Sequence, residues 1–318
     1  IFLRFNLLGV NPPSLDWDEA SIGYNAYSIL RTGADEYGNK LPLSIRSFDD
    51  YKPALYTYFT VPFVKIFGLN EFAVRLPSAT LGVLSVVVLF FLVKEVLSKK
   101  GKMGEYVAIL SSFLFALSPW HLQFSRAAFE GNIGIFFLVL GLFLFLRAIN
   151  KEKFYLFYFS SVSFVLAMYS YHSFRLVVPF FLFFLGIFYL KSLLKVKKEV
   201  VLAGIISLIL IFPIFISFFS SIGTASRLSM VSIFESNDIL ENSIKDIEYD
   251  REKGDFLGSF LHNRRIVYFL TASKNYFDHW NPDFLFFRGD GGRQHHAVDM
   301  GMQYFWEFPF ILVGVYGL

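Results

Sequence analysis

The sequence predicts an all-α polytopic membrane protein, on three observations. Of the 318 residues, 55% are hydrophobic and only 17% are charged, and the mean hydropathy is +0.50, which does not describe an ordinary soluble domain of this length. Phe alone contributes 42 residues. Several stretches come close to the roughly 20 apolar residues that one bilayer-spanning helix needs. We therefore expect about eight transmembrane helices.

The predicted spans follow one another along the chain, separated by polar connections. The chain begins inside one apolar stretch and ends inside another, so we expect a fragment of a longer protein, truncated at both ends. Hydropathy places the spans at about Ile1 to Val10, Phe72 to Val93, Tyr106 to His121, Ile133 to Leu146, Phe154 to Tyr171, Leu176 to Leu190, Val200 to Phe219 and Tyr304 to Leu318.

The positive charges in three short loops predict the orientation. Lys and Arg concentrate at residues 94–102, 147–153 and 191–198, and such loops lie on the cytoplasmic side of a membrane protein. Residues 11–71 then form the first outer loop. Residues 220–303 form a large outer loop that we expect to act as a lid, with a helix from Asp250 to Trp280.

The first outer loop contains one more apolar stretch, Ala54 to Leu69. It is short for a span and is interrupted by Pro62 and Lys65, so it is predicted to be an interfacial helix. Counting it as a span would scatter the positive charges over both faces of the membrane. The loop is therefore predicted to hold interfacial helices together with an acidic motif.

That motif places Asp16, Asp18 and Glu19 within four residues, in a chain that otherwise avoids charge. A carboxylate of this kind can take a proton from an attacking hydroxyl or amine as a glycosidic bond to phosphate breaks. A membrane-anchored phosphate also needs cations at headgroup depth. The predicted outer face offers Lys52, Arg175, Arg288 and Arg293.

Structural roles explain several of the same residues. Asp18 and Glu19 could cap a helix that begins near Ala20, because acids favour helix N-termini. Arg126 could pair with Glu130 one helical turn further on. Arg75, at a helix end, is more simply explained as an anchor.

A divalent cation is the one cofactor that the sequence leaves open. The spacing Asp16-x-Asp18 resembles an acidic pair that holds Mg²⁺ or Mn²⁺ in some sugar transferases, and oxygen ligands suit both ions. We do not expect an essential metal. The chain has no Cys, and it has none of the motifs that predict nucleotide or nucleic-acid binding.

Four short motifs, in this order, resemble those of the membrane-embedded GT-C glycosyltransferases. They are Asp16-Trp17-Asp18-Glu19, Tyr51-Lys52-Pro53, the segment from Phe72 to Ala79, and Ser125-Arg126 followed by Glu130. Within that superfamily the chain is most similar to the group of dolichyl-phosphate-mannose–protein mannosyltransferases and lipid A aminoarabinose transferases. The resemblance covers nearly the whole chain, which it identifies as a GT-C-like transmembrane catalytic region.

The resemblance implies transfer of a sugar from a polyprenyl-phosphate donor to a lipid, protein or glycan acceptor, on the outer face of the plasma (inner) membrane. It also implies roles for the acids. Asp18 would be the base, supported by Glu19 or Asp16, and Glu130 would be a second catalytic acid.

The same resemblance implies which residues bind the substrate. Lys52, in its Tyr51-Lys52-Pro53 motif, and Arg175 would contact the donor phosphate, and Arg126 belongs to the motif before Glu130. The segment from Arg288 to His296 resembles a loop that closes over donor or acceptor, and it contains Arg293, His295 and His296, of which the two His could contact phosphate.

A transporter or flippase of a lipid-linked phosphate sugar is the alternative function. Such a protein would also place Arg and Lys near the membrane, but it would show ionisable residues or broken helices at mid-membrane, ideally in two repeated halves. The sequence shows neither. The two functions differ in whether Asp18, Lys52, Glu130 and Arg175 meet in one cavity.

Overall fold

The computed structural model describes residues 1–48, 50–220, 237–290, 292 and 300–317 of the chain. These residues form two compact units, of which the first contains residues 1–220 and the second nearly all described residues after 236. Both units are mostly helical. In the first unit the helices are α1 Phe2–Phe5, α2 Trp17–Thr32, α3 Leu55–Phe67, α4 Glu71–Val96, α5 Lys102–Leu117, α6 Pro119–Arg126, α7 Glu130–Asn150, α8 Leu156–Ser170, α9 Phe174–Phe188, α10 Leu190–Leu193 and α11 Lys197–Ser220.

Helix α7 lies at the centre of the first unit, where it packs against α4 and α8. Two glycines permit this packing, because a side chain on Gly134 would overlap the Phe174 ring and one on Gly141 would press on the Phe164 ring. Phe137 and Phe164 are buried in the resulting core. The core is thus built from apolar side chains and from close contacts between helix backbones.

Two predicted helices differ from those observed. The stretch from Tyr106 to His121 is not one helix, because the chain bends by 58° between α5 and α6. The bend falls at Pro119, whose ring cannot continue a helix. At the start of the chain only Phe2–Phe5 is helical, and Leu7 takes a positive φ of 54°.

Residues 11–71, the predicted first outer loop, contain a strand pair that an all-α prediction does not include. Strands β1 (Ser44–Ser47) and β2 (Asp50–Pro53) pair antiparallel, with Ile45 opposite Lys52 and Arg46 opposite Tyr51. Helix α2 precedes this hairpin and α3 follows it. Helix α3 coincides with the predicted interfacial stretch, and its position relative to a membrane stays a prediction.

In the described part of the chain, three helices are long and apolar enough to cross a membrane: Glu71–Val96, Glu130–Asn150 and Leu190–Ser217. The bent pair α5 and α6 makes a fourth if it is counted as one span. Shorter apolar helices of 10–17 residues include α3, α8 and α9. The structure therefore confirms a mostly helical protein with helices that are long and apolar enough to span a membrane, and the eight-span topology stays a prediction.

The second unit contains α12 (Asn237–Lys253), α13 (Phe256–Leu261), α14 (Arg264–Asp278) and α15 (Phe308–Tyr316). A single helix from Asp250 to Trp280 was the wrong expectation for this region. Gly254 takes a φ of 71° that ends α12, and Asp255 and Asn263 accept backbone N–H bonds as N-caps of the next two helices. The Nδ1 of His262 lies 2.6 Å from Asp250 and connects the turn after α13 to α12.

Candidate functional site

The acidic motif begins α2 and closes its first turn. The carboxylate of Asp16 accepts the N–H of Trp17 at 2.7 Å, and Glu19 accepts the N–H of Asp16 at 3.1 Å. Asp16 and Glu19 together form a capping box. Burial, reinforced by the charges of Asp18 and Glu19, raises the pKa of Asp16. The helix-capping explanation therefore applies to Asp16 and Glu19, and it leaves Asp18 available for another role.

Glu19 is also one half of a buried ion pair with Arg75. The Nε and Nη2 of Arg75 donate to the two carboxylate oxygens of Glu19, each at 2.9 Å, and Glu19 accepts a further bond from the N–H of Ala128 at 2.8 Å. Glu19 is 4% exposed and Arg75 is completely buried. With this many donors on its two oxygens, the Glu19 carboxylate has no free face for a substrate.

Arg75 contacts more of the chain than any sequence motif indicated. Its Nη1 donates to the carbonyls of Leu8 and Pro12, and its Nη2 donates to the carbonyl of Ser14 at 2.6 Å. The guanidinium thus fixes the segment before the acidic motif to helix α4. The structure agrees with the anchoring role expected for Arg75.

The remaining acid of the motif, Asp18, forms an ion pair with Lys52 of strand β2. The Asp18 side chain is 27% exposed and that of Lys52 is 12% exposed, so the pair is partly accessible. Because β2 is held in register by β1, the hairpin determines where the Lys52 ammonium lies. The structure therefore brings together the two residues that were predicted to be the base and a phosphate ligand.

His172 connects Tyr51, the residue before Lys52, to Arg175. Its Nε2 lies 3.0 Å from the carbonyl of Tyr51, which can only accept, so Nε2 is the donor. The carbonyl of His172 accepts the N–H of Arg175 at 3.1 Å, and the Arg175 Nε donates to the carbonyl of Met168. His172 is not among the predicted site residues, although it lies between Tyr171 and Arg175 in a predicted outer loop.

Glu130 and Arg126 lie further along the same unit, and they do not form the pair that their spacing suggested. Arg126 donates instead to the carbonyls of Leu3, Asn6 and Asn11, at 2.7 to 2.9 Å. Glu130 is 7% exposed in the first turn of α7, where an acid interacts favourably with the helix dipole. Glu130 and Glu19 both act electrostatically on the buried hydroxyl of Tyr56.

An apolar cavity of about 390 Å³ lies between α3, α8 and α11. Its lining includes Ala54, which follows the Lys52-Pro53 dipeptide, and Tyr58 of α3. It also includes Tyr169, which interacts electrostatically with Arg175. The cavity therefore adjoins the two cations of the site. Ala54 lies two residues after Lys52, and Tyr169 interacts with the charge of Arg175.

Arg288, another predicted substrate ligand, lies in the second unit. Arg288 forms an ion pair with Asp283 at 3.5 Å, and its side chain is 82% exposed. Arg293, His295 and His296 lie outside the described residues. Over the part of the chain that the structure describes, no group of three His, Asp or Glu is arranged to hold a metal ion.

A mostly helical membrane protein with this acidic motif and its partners has the features of a GT-C-type glycosyltransferase. Comparison with known protein families gives a more specific result. The family model described as dolichyl-phosphate-mannose-protein mannosyltransferase matches residues 51–216, more than half of the chain. The chain belongs to this family.

Individual relatives are more distant and much longer. The chain is 27% identical to "Putative mannosyltransferase YycA" of Bacillus subtilis over 60% of its length, which is 27% of that protein. It is 32% identical to "Putative mannosyltransferase YkcB" of the same organism, over 33% of the chain and 14% of the relative. An uncharacterized protein of Aquifex aeolicus is 30% identical over 63% of the chain and 37% of that protein. The chain therefore spans only part of the length of these relatives. No solved structure matches it significantly.

Proposed function

We propose that this chain is the catalytic membrane region of a glycosyltransferase that moves a sugar from a polyprenyl-phosphate donor to an acceptor. The observation that carries the proposal is the partly accessible ion pair of Asp18 and Lys52. It places a carboxylate and an ammonium side by side, one suited to accepting a proton and the other to binding a phosphate. Family membership supports the reaction class.

In the proposed reaction, Asp18 takes the proton from the attacking hydroxyl or amine of the acceptor. The acceptor atom forms a bond to the anomeric carbon while the bond from that carbon to the phosphate oxygen breaks, with inversion. Polyprenyl phosphate departs with the bonding electron pair. Lys52 and Arg175 compensate the charge that develops on the leaving phosphate, and Asp18 returns its proton to water.

Glu19 has a different role in this proposal from the one its motif suggested. Its carboxylate oxygens accept bonds from Arg75, Ala128 and Asp16, so a substrate proton would have to displace an existing donor. We assign Glu19 to positioning, because it holds the first turn of α2 and thereby Asp18. Glu130 remains the candidate for a second catalytic acid. Arg126 holds the segment before the acidic motif in place through its bonds to backbone carbonyls.

The donor lipid chain would occupy the cavity between α3, α8 and α11. The cavity lining is mostly apolar, and Ala54 places one part of it two residues from Lys52. A phosphate bound at Lys52 could then lie at headgroup depth while the first isoprene units are buried. Mannose is the first sugar to test, since both named relatives are called mannosyltransferases.

The proposed topology has eight spans, with the three Lys- and Arg-rich loops in the cytoplasm and the site on the outer face of the plasma membrane. Residues 11–71 would form the catalytic outer loop. Residues 220–303, which include Arg288, Arg293, His295 and His296, would form a lid over donor or acceptor.

The test measures release of polyprenyl phosphate by the full-length protein in nanodiscs, from a panel of polyprenyl-phosphate sugars. Reactions are run with Mg²⁺ and with a chelator. Loss of a general base costs about 10²- to 10⁴-fold in rate, and we expect a loss of this order in Asp18→Asn. Lys52→Ala should reduce turnover at saturating as well as at low donor concentration, because Lys52 both binds the phosphate and compensates its developing charge.

Matched controls come from exposed residues of the same region. Lys40→Ala removes a cation from the first outer loop, and Glu71→Gln removes an acid from the first turn of α4; neither should change turnover. Turnover that is unaffected in Asp18→Asn would refute the assigned base. Absence of turnover with every donor would favour the transporter of lipid-linked phosphate sugars, which a flux assay would then detect.

A further inference from the structure

A second apolar groove lies away from the site, between α9 and α11. Both helices pack on α8, and they make little contact with one another. The space between them has a volume of about 550 Å³ and continues into a cavity of about 290 Å³. Leu182, Gly186, Leu193 and Val200 line both.

The groove is open to the membrane. Phe183 and Ile187 on its rim are 62% and 55% exposed, and only 11% of the span Leu190–Ser217 is buried inside the protein. Its glycines face empty space, because a side chain added at Gly186 or Gly204 would meet no protein atom within 4 Å. An alkyl chain could therefore enter the groove without displacing any side chain.

One end of the groove is strongly basic. Lys197 is part of the lining, and Lys191, Lys195 and Lys198 lie in the same short connection from α9 to α11. All four are exposed, and none forms an ion pair with any described carboxylate. An apolar channel that ends at unpaired ammonium groups is complementary to a molecule with an alkyl chain and an anionic head.

From this we infer that the groove between α9 and α11 is a binding site for an anionic phospholipid. The phosphate of the lipid lies at Lys197 and its neighbours, and one acyl chain lies along Leu182, Gly186 and Val200. Clusters of Lys near a membrane surface attract anionic headgroups. This site is separate from Asp18 and Lys52, and the inference does not rest on the proposed reaction.

The test uses the full-length protein in mixed nanodiscs with phosphatidylglycerol and phosphatidylcholine of identical acyl chains. Native mass spectrometry measures how much of each lipid is retained after release from the bilayer. The wild type should retain more phosphatidylglycerol than phosphatidylcholine. Replacing Lys195 and Lys197 by Ala should weaken that preference about five-fold for each Lys.

A second variant tests the alkyl part of the site. A Cβ at Gly186 meets no protein atom within 4 Å, so the Gly186→Leu side chain projects into the groove and should lower retention of both lipids roughly ten-fold, equivalent to about two buried methylene groups. Gly314→Leu is its control, because Gly314 also lies in an apolar helix with free space around it. Lys99→Ala with Lys100→Ala is the control for charge, and both residues are exposed in another basic loop.

Three outcomes would overturn the inference. They are equal retention of the two lipids by the wild type, an equal loss of preference in the Lys99 and Lys100 control, and unchanged retention in Gly186→Leu. The last result would mean that the groove is covered by another segment of the protein.

Discussion

The Lys52 ammonium contacts the Asp18 carboxylate, so a strand of the hairpin and the first turn of α2 meet through opposite charges. In the proposed reaction these two groups serve different parts of the substrate. In the proposed reaction, a donor phosphate that binds Lys52 competes with Asp18 for the charge of the ammonium. Donor binding would then release Asp18 at the moment when a proton acceptor is required.

This competition makes a prediction about Asp18→Asn. Removal of the negative charge leaves the full charge of Lys52 for the phosphate, so polyprenyl phosphate should bind more tightly while turnover is lost. A partly exposed pair is worth up to about 1 kcal/mol, or about five-fold in affinity. Titration of polyprenyl phosphate into wild type and variant measures the effect. Weaker binding in Asp18→Asn would contradict the competition.

The two kinds of ion pair in the first unit should differ strongly in their contribution to stability. Arg75 and Glu19 are buried, whereas Lys94 and Glu105 are each about half exposed, at 50% and 48%. Glu19→Gln should lower the free energy of unfolding by about 3–5 kcal/mol, because it leaves a buried guanidinium without its counter-charge. Glu105→Gln should cost at most about 1 kcal/mol. Thermal unfolding in detergent compares the two variants. Similar losses of stability would contradict the buried position of the Arg75–Glu19 ion pair.

Close packing of α7 predicts a contrast between two Gly→Ala variants. In Gly134→Ala the new methyl overlaps the Phe174 ring and the Ser170 hydroxyl, so we expect a loss of about 1–3 kcal/mol. In Gly204→Ala the methyl meets open space, and the change should be below about 1 kcal/mol. The same thermal assay applies. A stable Gly134→Ala protein would mean that α7 and α9 lie further apart.

In the second unit, the contact between His262 and Asp250 predicts a pH dependence. The hydrogen bond to Asp250 raises the pKa of His262, and the nearby charges of Asp246 and Asp255 act in the same direction. Because the folded state raises the pKa, the stabilisation is complete below the ordinary His value of about 6.5 and is lost as the pH rises through the folded-state value.

Amide hydrogen exchange should therefore show more protection in α12 to α14 at pH 5.5 than at pH 8.5, after correction for the intrinsic exchange rate. His262→Gln keeps a hydrogen-bond donor but cannot titrate, so its protection should not depend on pH. A wild type whose corrected protection is the same at both values would contradict the contribution of the charged ring.

Sequence patterns predicted a helix well where its length and hydropathy were sufficient to define it. The apolar stretch from Phe72 to Val93 became α4 (Glu71–Val96), with one residue added at its start and three at its end, because length and hydropathy determine a span. The hairpin from Ser44 to Pro53 was missed, since it depends on a strand pairing rather than on periodicity in either strand. The break at Gly254 was missed because it depends on one backbone dihedral angle.

Predictions for the site had a similar limit. Spacing alone placed three acids in one turn, yet it could not decide which of them is buried. That decision depends on Arg75, which lies in a distant helix and contacts only Glu19 among the three acids in the described structure. The link from Tyr51 through His172 to Arg175 joins residues from separate parts of the chain, and no local pattern reveals it.

The contacts of Arg75 also determine where the chain around α2 can change length during evolution. Its guanidinium donates to the carbonyls of Leu8, Pro12 and Ser14 and to the carboxylate of Glu19. An insertion or deletion between these residues would move some of these acceptors away from the buried guanidinium. The exposed turn of residues 37–41 makes its hydrogen bonds with the adjacent Asp35 instead. Related proteins should therefore vary in length after α2 and keep a constant spacing before it.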